Sequence, residues 1–507
     1  MEYDLIVKNA TIVTMDSSLR RFSGWVGVNR QVITAVEEGD CQASGKCVVD
    51  ACGATLLPGL TDCHLHVVQA GMNYCEPQLG ECTCIQDVLD IIGEACENEP
   101  GGGWVFGFGL LIDRLAEKRY PTKYELDSVS HGHKVAVCSA TLHGYALNSW
   151  GVEVVSIPDD TPGVAMKDGV QLGYYTSDES SLRVSSEMYG DLSDAEILKY
   201  LNVTVNEGLK KGATTLHTLC GETVKNDRDF KVLFDHQDEL GADTVIWYQN
   251  WNPDDAKRYG LKRVGGCLTL DGVTFEHTQA NYKPFVTAPH LRGVLYHTDD
   301  EVYNFISRAW ELDMQTTMHC VGERAVDQLL YAYLRVIGEQ GPKDLRPRIE
   351  HFCQSTDEQI AMAKELGVTL SMQPSFSYYW HDGFVAVLGE ERTGGTEAYG
   401  KVVRAGVTLL GGSDCPVTPI DPLLGIATLV RGPDERRHIS VDDALRAYTT
   451  NPAWSTKTDD VKGSIEVGKV ADLVLIDKNP YEYADSDELF DMRVLKTIRH
   501  GVIAYEA

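Results

Sequence analysis

The chain has 507 residues, 43% of them apolar and 24% charged, with 75 acidic against 45 basic side chains and a formal net charge of −30. That length exceeds one ordinary domain and fits a large barrel plus a smaller domain, and the composition is ordinary for a globular enzyme. So large an acidic excess repels nucleic acid and anionic membranes, and no run of about 18 apolar residues offers a transmembrane helix.

The N-terminal stretch MEYDLIVKNATIVTMD carries Glu2 and Asp4 where a secretory signal would be basic. The fourteen cysteines are spread along the chain, so reduced thiols and a cytoplasmic location are expected. The densest group, Cys75, Cys82, Cys84 and Cys96, lacks the paired C-x₂-C spacing of a structural zinc site. Residues 3–57 read as short strands, with a hairpin around Asn29-Arg30. GSIEVGKVADLVLID (463–477) and VLKTIRHGVIAYEA (494–507) read the same way. Both ends are therefore expected to build one small sheet domain, residues 1–58 plus 463–507. Between them, strand and helix patterns alternate. The helical face of 194–212 is followed at once by ATTLHTL. Further strand candidates are TVIWYQ (244–249), GGCLTLDG (265–272), QTTMHCVG (315–322), RIEHF (348–352), VTLSMQP (368–374) and VTLLGGSD (407–414), with helical patterns at 301–313, 323–338 and 357–366. With LTDCHLH and KVAVCSAT (134–141) there are nine candidates for the eight strands of a parallel barrel over 59–462. Residues 73–200 are expected to be an insertion capping its mouth.

The chemistry starts at LTDCHLHVV. Side chains alternate along a strand, so His64 and His66 point to one side. His319, His351 and Asp414 also sit where apolar strands give way to Gly-, polar- or Pro-marked loops. The carboxyl ends of barrel strands meet at one rim, and a set of imidazoles with a carboxylate suits zinc.

These residues, with LLPGLTDCHLH, HCVGERAVD, RIEHF, GGSDCPVTPIDPLLGI and the closing GSIEVGKVADLVLID, resemble the metal-dependent hydrolases of the amidohydrolase superfamily nearly end to end. WVFGFG (104–109), YPTKYELD (120–127) and LHGYALNSWGV (142–152) resemble more narrowly its branch of N-substituted formamide deformylases. The resemblance implies an α/β fold, a distorted (β/α)₈ TIM barrel with a β-sandwich made by both termini. It implies ligands at His64, His66, His319, His351 and Asp414, holding one or two Zn²⁺ or another divalent transition metal. On a middle strand, where such enzymes often carry a bridging lysine or a glutamate, this chain has Cys267. A thiolate there either bridges two ions or is a small core residue beside a single one, and both readings stay open; Lys262 and Asp271 are displaced rivals.

The expected reaction is hydrolysis of a non-peptide C–N bond, in a small, partly apolar N-substituted amide, by a water whose pKa the ion lowers to ~7. Asp414 shuttles the proton, and the resemblance makes His143 the oxyanion donor. Asn148 caps or pins the same loop. The aromatics of SMQPSFSYYWHDGF (371–384) and WVFGFG either line a pocket or pack. His131, His133, His290 and His297 are read as surface or loop residues, and Glu323 as the start of a helix. A small-molecule substrate and no nucleic-acid or membrane partner are expected; a homodimer is allowed. Rival readings are a deaminase or a cyclic-amide or lactone hydrolase of the same superfamily, and a scaffold that has lost its site.

Overall fold

The computed structural model describes residues 2–176, 178–221 and 227–507. At its centre, short strands follow one another along the chain with helices between them. They are β1 (Leu60–Leu65), β2 (Ala213–Cys220), β3 (Asp243–Tyr248), β4 (Arg263–Val264), β5 (Gln315–Thr316, continued at His319–Cys320), β6 (Arg348–His351), β7 (Thr369–Met372) and β8 (Leu409–Gly411). Each pairs in parallel with the next, from β1 round to β8. Just beyond β8, Leu65 bridges Cys415 in parallel. There Asp414 N donates to His64 O (2.7 Å) and His66 N to Cys415 O (2.9 Å), so the last strand lies against the first. Every residue of β1, β2, β6 and β7 is buried. Burial on both faces leaves no exposed polar side to these strands, so their polar residues, Asp62, His64, His217, Arg348 and Glu350 among them, are buried as well.

The helices between strands carry their own sequence signals. Asp194–Lys210 starts in a capping box, Ser193 with Glu196, and buries Ile197, Leu201, Val205 and Leu209 on one face. Burying side chains of this size stabilises by roughly 1.5–3 kcal/mol each. Thr298 with Glu301 and Thr356 with Gln359 open the helices Asp299–Glu311 and Asp357–Leu366 in the same way.

Three local expectations change. KVAVCSAT, the surplus candidate, forms Lys134–Ser139 of a separate five-stranded sheet between β1 and β2 in the chain, with Trp104–Leu110, Tyr145–Leu147, Val164–Lys167 and Val170–Tyr175. Its strands are short and broken by turns, so they left little periodicity to read. QTTMHCVG is interrupted after Thr316. GGCLTLDG is not a strand: β4 ends at Val264, and the chain turns through Gly265 (φ +113°) and Gly266 (φ +60°), placing Cys267 on a loop.

Both termini join one eight-stranded sheet. Leu473–Ile476 pairs with Thr55–Pro58, which lies beside Glu2–Val13, and Val494–Arg499 and Val502–Glu506 extend the edge. The hairpin at Asn29-Arg30 joins Arg21–Asn29 to Val32–Glu38. At the far edge Val32 bridges Val470, and a separate core including Val7, Ile12, Val28, Leu56, Leu473 and Ile498 lies within the fold of the sheet. Among the described residues, no helix is long and apolar enough to cross a membrane.

Gly265 is a sharp test of the turn. A Cβ there would stand 1.9 Å from Thr317 O, at a φ that L-residues rarely adopt. Gly265→Ala is expected to lower stability by about 1–3 kcal/mol, read from the urea unfolding midpoint.

Candidate metal centre

The carboxyl ends of β1, β5, β6 and β8 face one another, and the predicted donors gather there. His64 Nε2 and His66 Nε2 lie 3.1 and 3.2 Å from Asp414 Oδ1. Cys267 Sγ lies 3.5 Å from His351 Nε2 and 3.6 Å from His319 Nδ1. The His64 and His351 rings are 4.7 Å apart and those of His319 and His351 4.4 Å. Donor atoms of His64, His66 and Asp414 fall within 4.8 Å of one another, as do those of His64, Cys267 and His351. Cys267 thus reaches the cluster from a loop instead of the expected strand. Its N–H donates to Gln249 Oε1 of the β3 exit at 3.3 Å.

Two backbones in the cluster are strained. His351 (φ +71°) and Asp414 (φ +58°) occupy the left-handed region, at a cost of about 1–3 kcal/mol each for such residues. Each strained residue aims its side chain into the cluster.

A second ring of groups sets the imidazole tautomers. His64 Nδ1 is 2.6 Å from Glu350 Oε2, His351 Nδ1 is 2.9 Å from Gln373 Oε1, and His319 Nε2 is 3.3 Å from Gly272 O. Each of these nitrogens faces an acceptor and therefore carries the proton. The opposite nitrogens turn their lone pairs inward, as carboxylate- and carbonyl-backed metal ligands do. Sequence reasoning missed Glu350 and Gln373. The signal for Glu350 was present: a carboxylate beside His351 on an otherwise buried strand.

The electrostatics ask for a cation. Burial opposes charge on both imidazoles at the end of β1, His64 and His66, yet the Asp414 and Glu350 carboxylates hold His64 well above the ordinary histidine range. Asp414 and Cys267 likewise lift His66 to about 9. Burial alone would raise the Cys267 thiol and the Asp414 carboxyl, but the surrounding imidazoles hold both well below their usual ranges. His64 Nε2 and Asp414 Oδ1 are buried without a hydrogen-bond partner. With the His64 proton on Nδ1, these are two lone pairs 3.1 Å apart that need a proton or a metal cation between them; the raised His64 pKa is the first case, and the donor set fits the second with a divalent ion.

A cavity of about 130 Å³ opens beside the cluster. His66, Cys267, His319, His351 and Asp414 line it, with His143 from the segment between β1 and β2. The His143 ring is 6.4 Å from that of His319. Phe275, Phe376, Trp380 and Phe384 form an aromatic wall. Tyr378 and Tyr379 of the same segment point to solvent, while Phe106 and Phe108 of WVFGFG pack in the core. Asn148 caps the helix Ser149–Val155 and bonds Val135 N and His133 O. Lys262 is exposed. Asp271 accepts from Val321 N, Gly322 N and Ala280 N, so it braces the loop beside His319. Glu323 starts the helix Glu323–Gln340. His131 and His290 are exposed and His297 packs on Trp251, but His133 is buried in its loop.

Parallel strands carrying imidazole and carboxylate donors at one end are the build of a metal-dependent hydrolase. The amidohydrolase family model matches residues 47–505, and the chain belongs to that family; it is a metal-dependent amidohydrolase. It is 27% identical to the N-substituted formamide deformylase of Arthrobacter pascens, over 99% of this chain and 98% of the relative. It is 25% identical to the putative amidohydrolase YtcJ of Bacillus subtilis (strain 168), over 90% and 89%. The crystal structure of an uncharacterized metal-dependent hydrolase from Pyrococcus furiosus shares the fold, with a TM-score of 0.74 at 23% identity, covering 94% of this chain and 99% of that one.

Elemental analysis of the purified protein is expected to find a divalent transition metal. His64→Ala is expected to cut it to well below the wild-type content with an unchanged circular dichroism spectrum. Because imidazole and thiolate must be deprotonated to bind, the ion is expected to be retained at neutral pH and released on acidification.

Proposed function

We propose that the protein is a zinc-dependent hydrolase of a small, partly apolar N-substituted amide. In this reading residues 59–462 are a distorted (β/α)₈ barrel, the insertion at about 73–200 covers its mouth, and residues 1–58 with 463–507 form a β-sandwich. The supporting observation is the convergence of His64, His66, Cys267, His319, His351 and Asp414 beside a cavity with an aromatic wall. A small-molecule substrate suits that cavity. A reducing cytoplasm suits the chain, whose fourteen cysteines are all free.

His64, His66 and Asp414 would hold one ion and His319 and His351 a second, with the Cys267 thiolate between them. The position of Cys267 favours this over a packing role: four imidazoles act on its thiol. Bound there, zinc supplies Lewis acidity, lowering the pKa of a water and polarising a carbonyl. Asp414, held ionised by its histidines, takes the proton of the attacking water and passes it to the departing nitrogen, so that amide and water become acid and amine. His143 donates to the carbonyl oxygen as negative charge develops on it. The wall of Phe275, Phe376, Trp380 and Phe384 receives an apolar substituent of the amide.

The test is a panel of formamides, acyl amides, hydantoins and lactones assayed with the metal-loaded enzyme. Release of free amine and acid from an N-substituted amide is expected; ammonia release from a ring amine would identify a deaminase instead. On the best substrate, Asp414→Asn is expected to abolish turnover and His143→Ala to lower kcat about 10²–10³-fold. Cys267→Ala is expected to lose one of two metal equivalents. Unchanged metal content in that variant would make Cys267 a packing residue.

A further inference from the structure

Beneath the donor cluster, the space enclosed by the strands is charged. Arg348 and Glu350 are both fully buried, two residues apart on β6 and so on one face of the strand. The Arg348 guanidinium bonds to three strands. Its Nε donates to Glu350 Oε1. One terminal nitrogen donates to His217 Nδ1 of β2 at 3.0 Å, the other to Cys63 O of β1 at 2.8 Å. Its Cζ lies over the ring of Trp247 on β3, 4.3 Å from the ring centre. Glu350 also accepts from Thr317 Oγ1 at 2.6 Å and meets His64 Nδ1 at 2.6 Å. Cys63 precedes His64, so Arg348 grips β1 twice: at the main chain directly, and at the imidazole through Glu350.

His351 and His319 hydrogen-bond to neutral oxygens, of Gln373 and Gly272, with the Asp271 carboxylate farther off at 3.8 Å from His319 Nε2. His64 is backed by a carboxylate that is itself clamped. A buried ion pair is costly to desolvate, and packed aliphatic side chains commonly serve stability as well or better. What this pair provides that aliphatics cannot is a fixed direction for the His64 ring.

We infer that Arg348 is a positioning residue for the metal centre, holding Glu350 and the end of β1 so that His64 Nε2 faces the donor cluster. This rests on His64 being a metal ligand. Four variants, Arg348→Met, Glu350→Gln, their double and His64→Ala, are compared with wild type as metal-loaded proteins titrated with a competing chelator. Arg348→Met and Glu350→Gln are each expected to weaken ion retention about 10–100-fold. The double variant is expected to be no weaker than the weaker single one, because both changes act on one imidazole. On a substrate that is turned over, kcat is expected to fall with KM little changed. Wild-type retention in Arg348→Met, or losses that multiply in the double variant, would overturn the inference. Should Arg348→Met not fold, Arg348→Lys keeps the charge but cannot grip three partners. It is expected to weaken retention about tenfold, and wild-type retention there would count against the brace. His64→Ala separates the two ideas. If it keeps the ion, the ligand reading itself fails; if it loses the ion while Arg348→Met keeps it, only the brace fails.

Discussion

Inward-facing lone pairs in a buried space are the constraint on which the rest of this structure depends. His64 Nε2 and Asp414 Oδ1 stand 3.1 Å apart with no hydrogen-bond partner for either, and the Cys267 thiol lies among four imidazoles. Such a group of atoms is stable only around positive charge. The features around it serve that need: the outer imidazole nitrogens are tied to Glu350, Gln373 and Gly272, and His351 and Asp414 accept left-handed backbone conformations to aim inward.

The parallel strand order makes this affordable in conformational terms. Donors from β1, β5, β6 and the exit of β8 are separated by 32 (His319 to His351) to 350 (His64 to Asp414) residues, and ordering them by loops alone would carry a heavy entropy cost. Strands already held by their ladders bring those side chains together with little further ordering. The parts that decide what reaches the donors come from elsewhere. His143 arrives from the segment between β1 and β2, Phe275 from the long connection after β4, and Phe376, Trp380 and Phe384 from the segment after β7. Rigid strands hold the chemistry, and the connections shape the cavity.

Chain order and sequence pattern carried much of this. His64-x-His66 at a strand end, His319 before a Gly-opened helix, His351 closing RIEHF and Asp414 in GGSDCP were legible because each stands where an apolar run stops. The helices at 194–212, 301–313 and 357–366 were legible from their apolar periodicity; the capping boxes that open them, Ser193/Glu196, Thr298/Glu301 and Thr356/Gln359, were seen in the structure. The terminal sheet was legible from alternation at both ends. GGCLTLDG was misread as a strand because its apolar residues mimic one, whereas the positive φ of Gly265 and Gly266 turns the chain.

By itself the sequence determined which residues are able to bind a cation, and in what order strands and helices follow, because residue chemistry and local periodicity are properties of short stretches. Only the tertiary structure decided which nitrogen of each imidazole faces inward, that Cys267 enters the cluster from a loop, that Arg348 crosses beneath it to His217 and Cys63, and which aromatics wall the cavity. Those are relations between residues far apart in the chain, set by strand register and loop closure, and no local pattern encodes them.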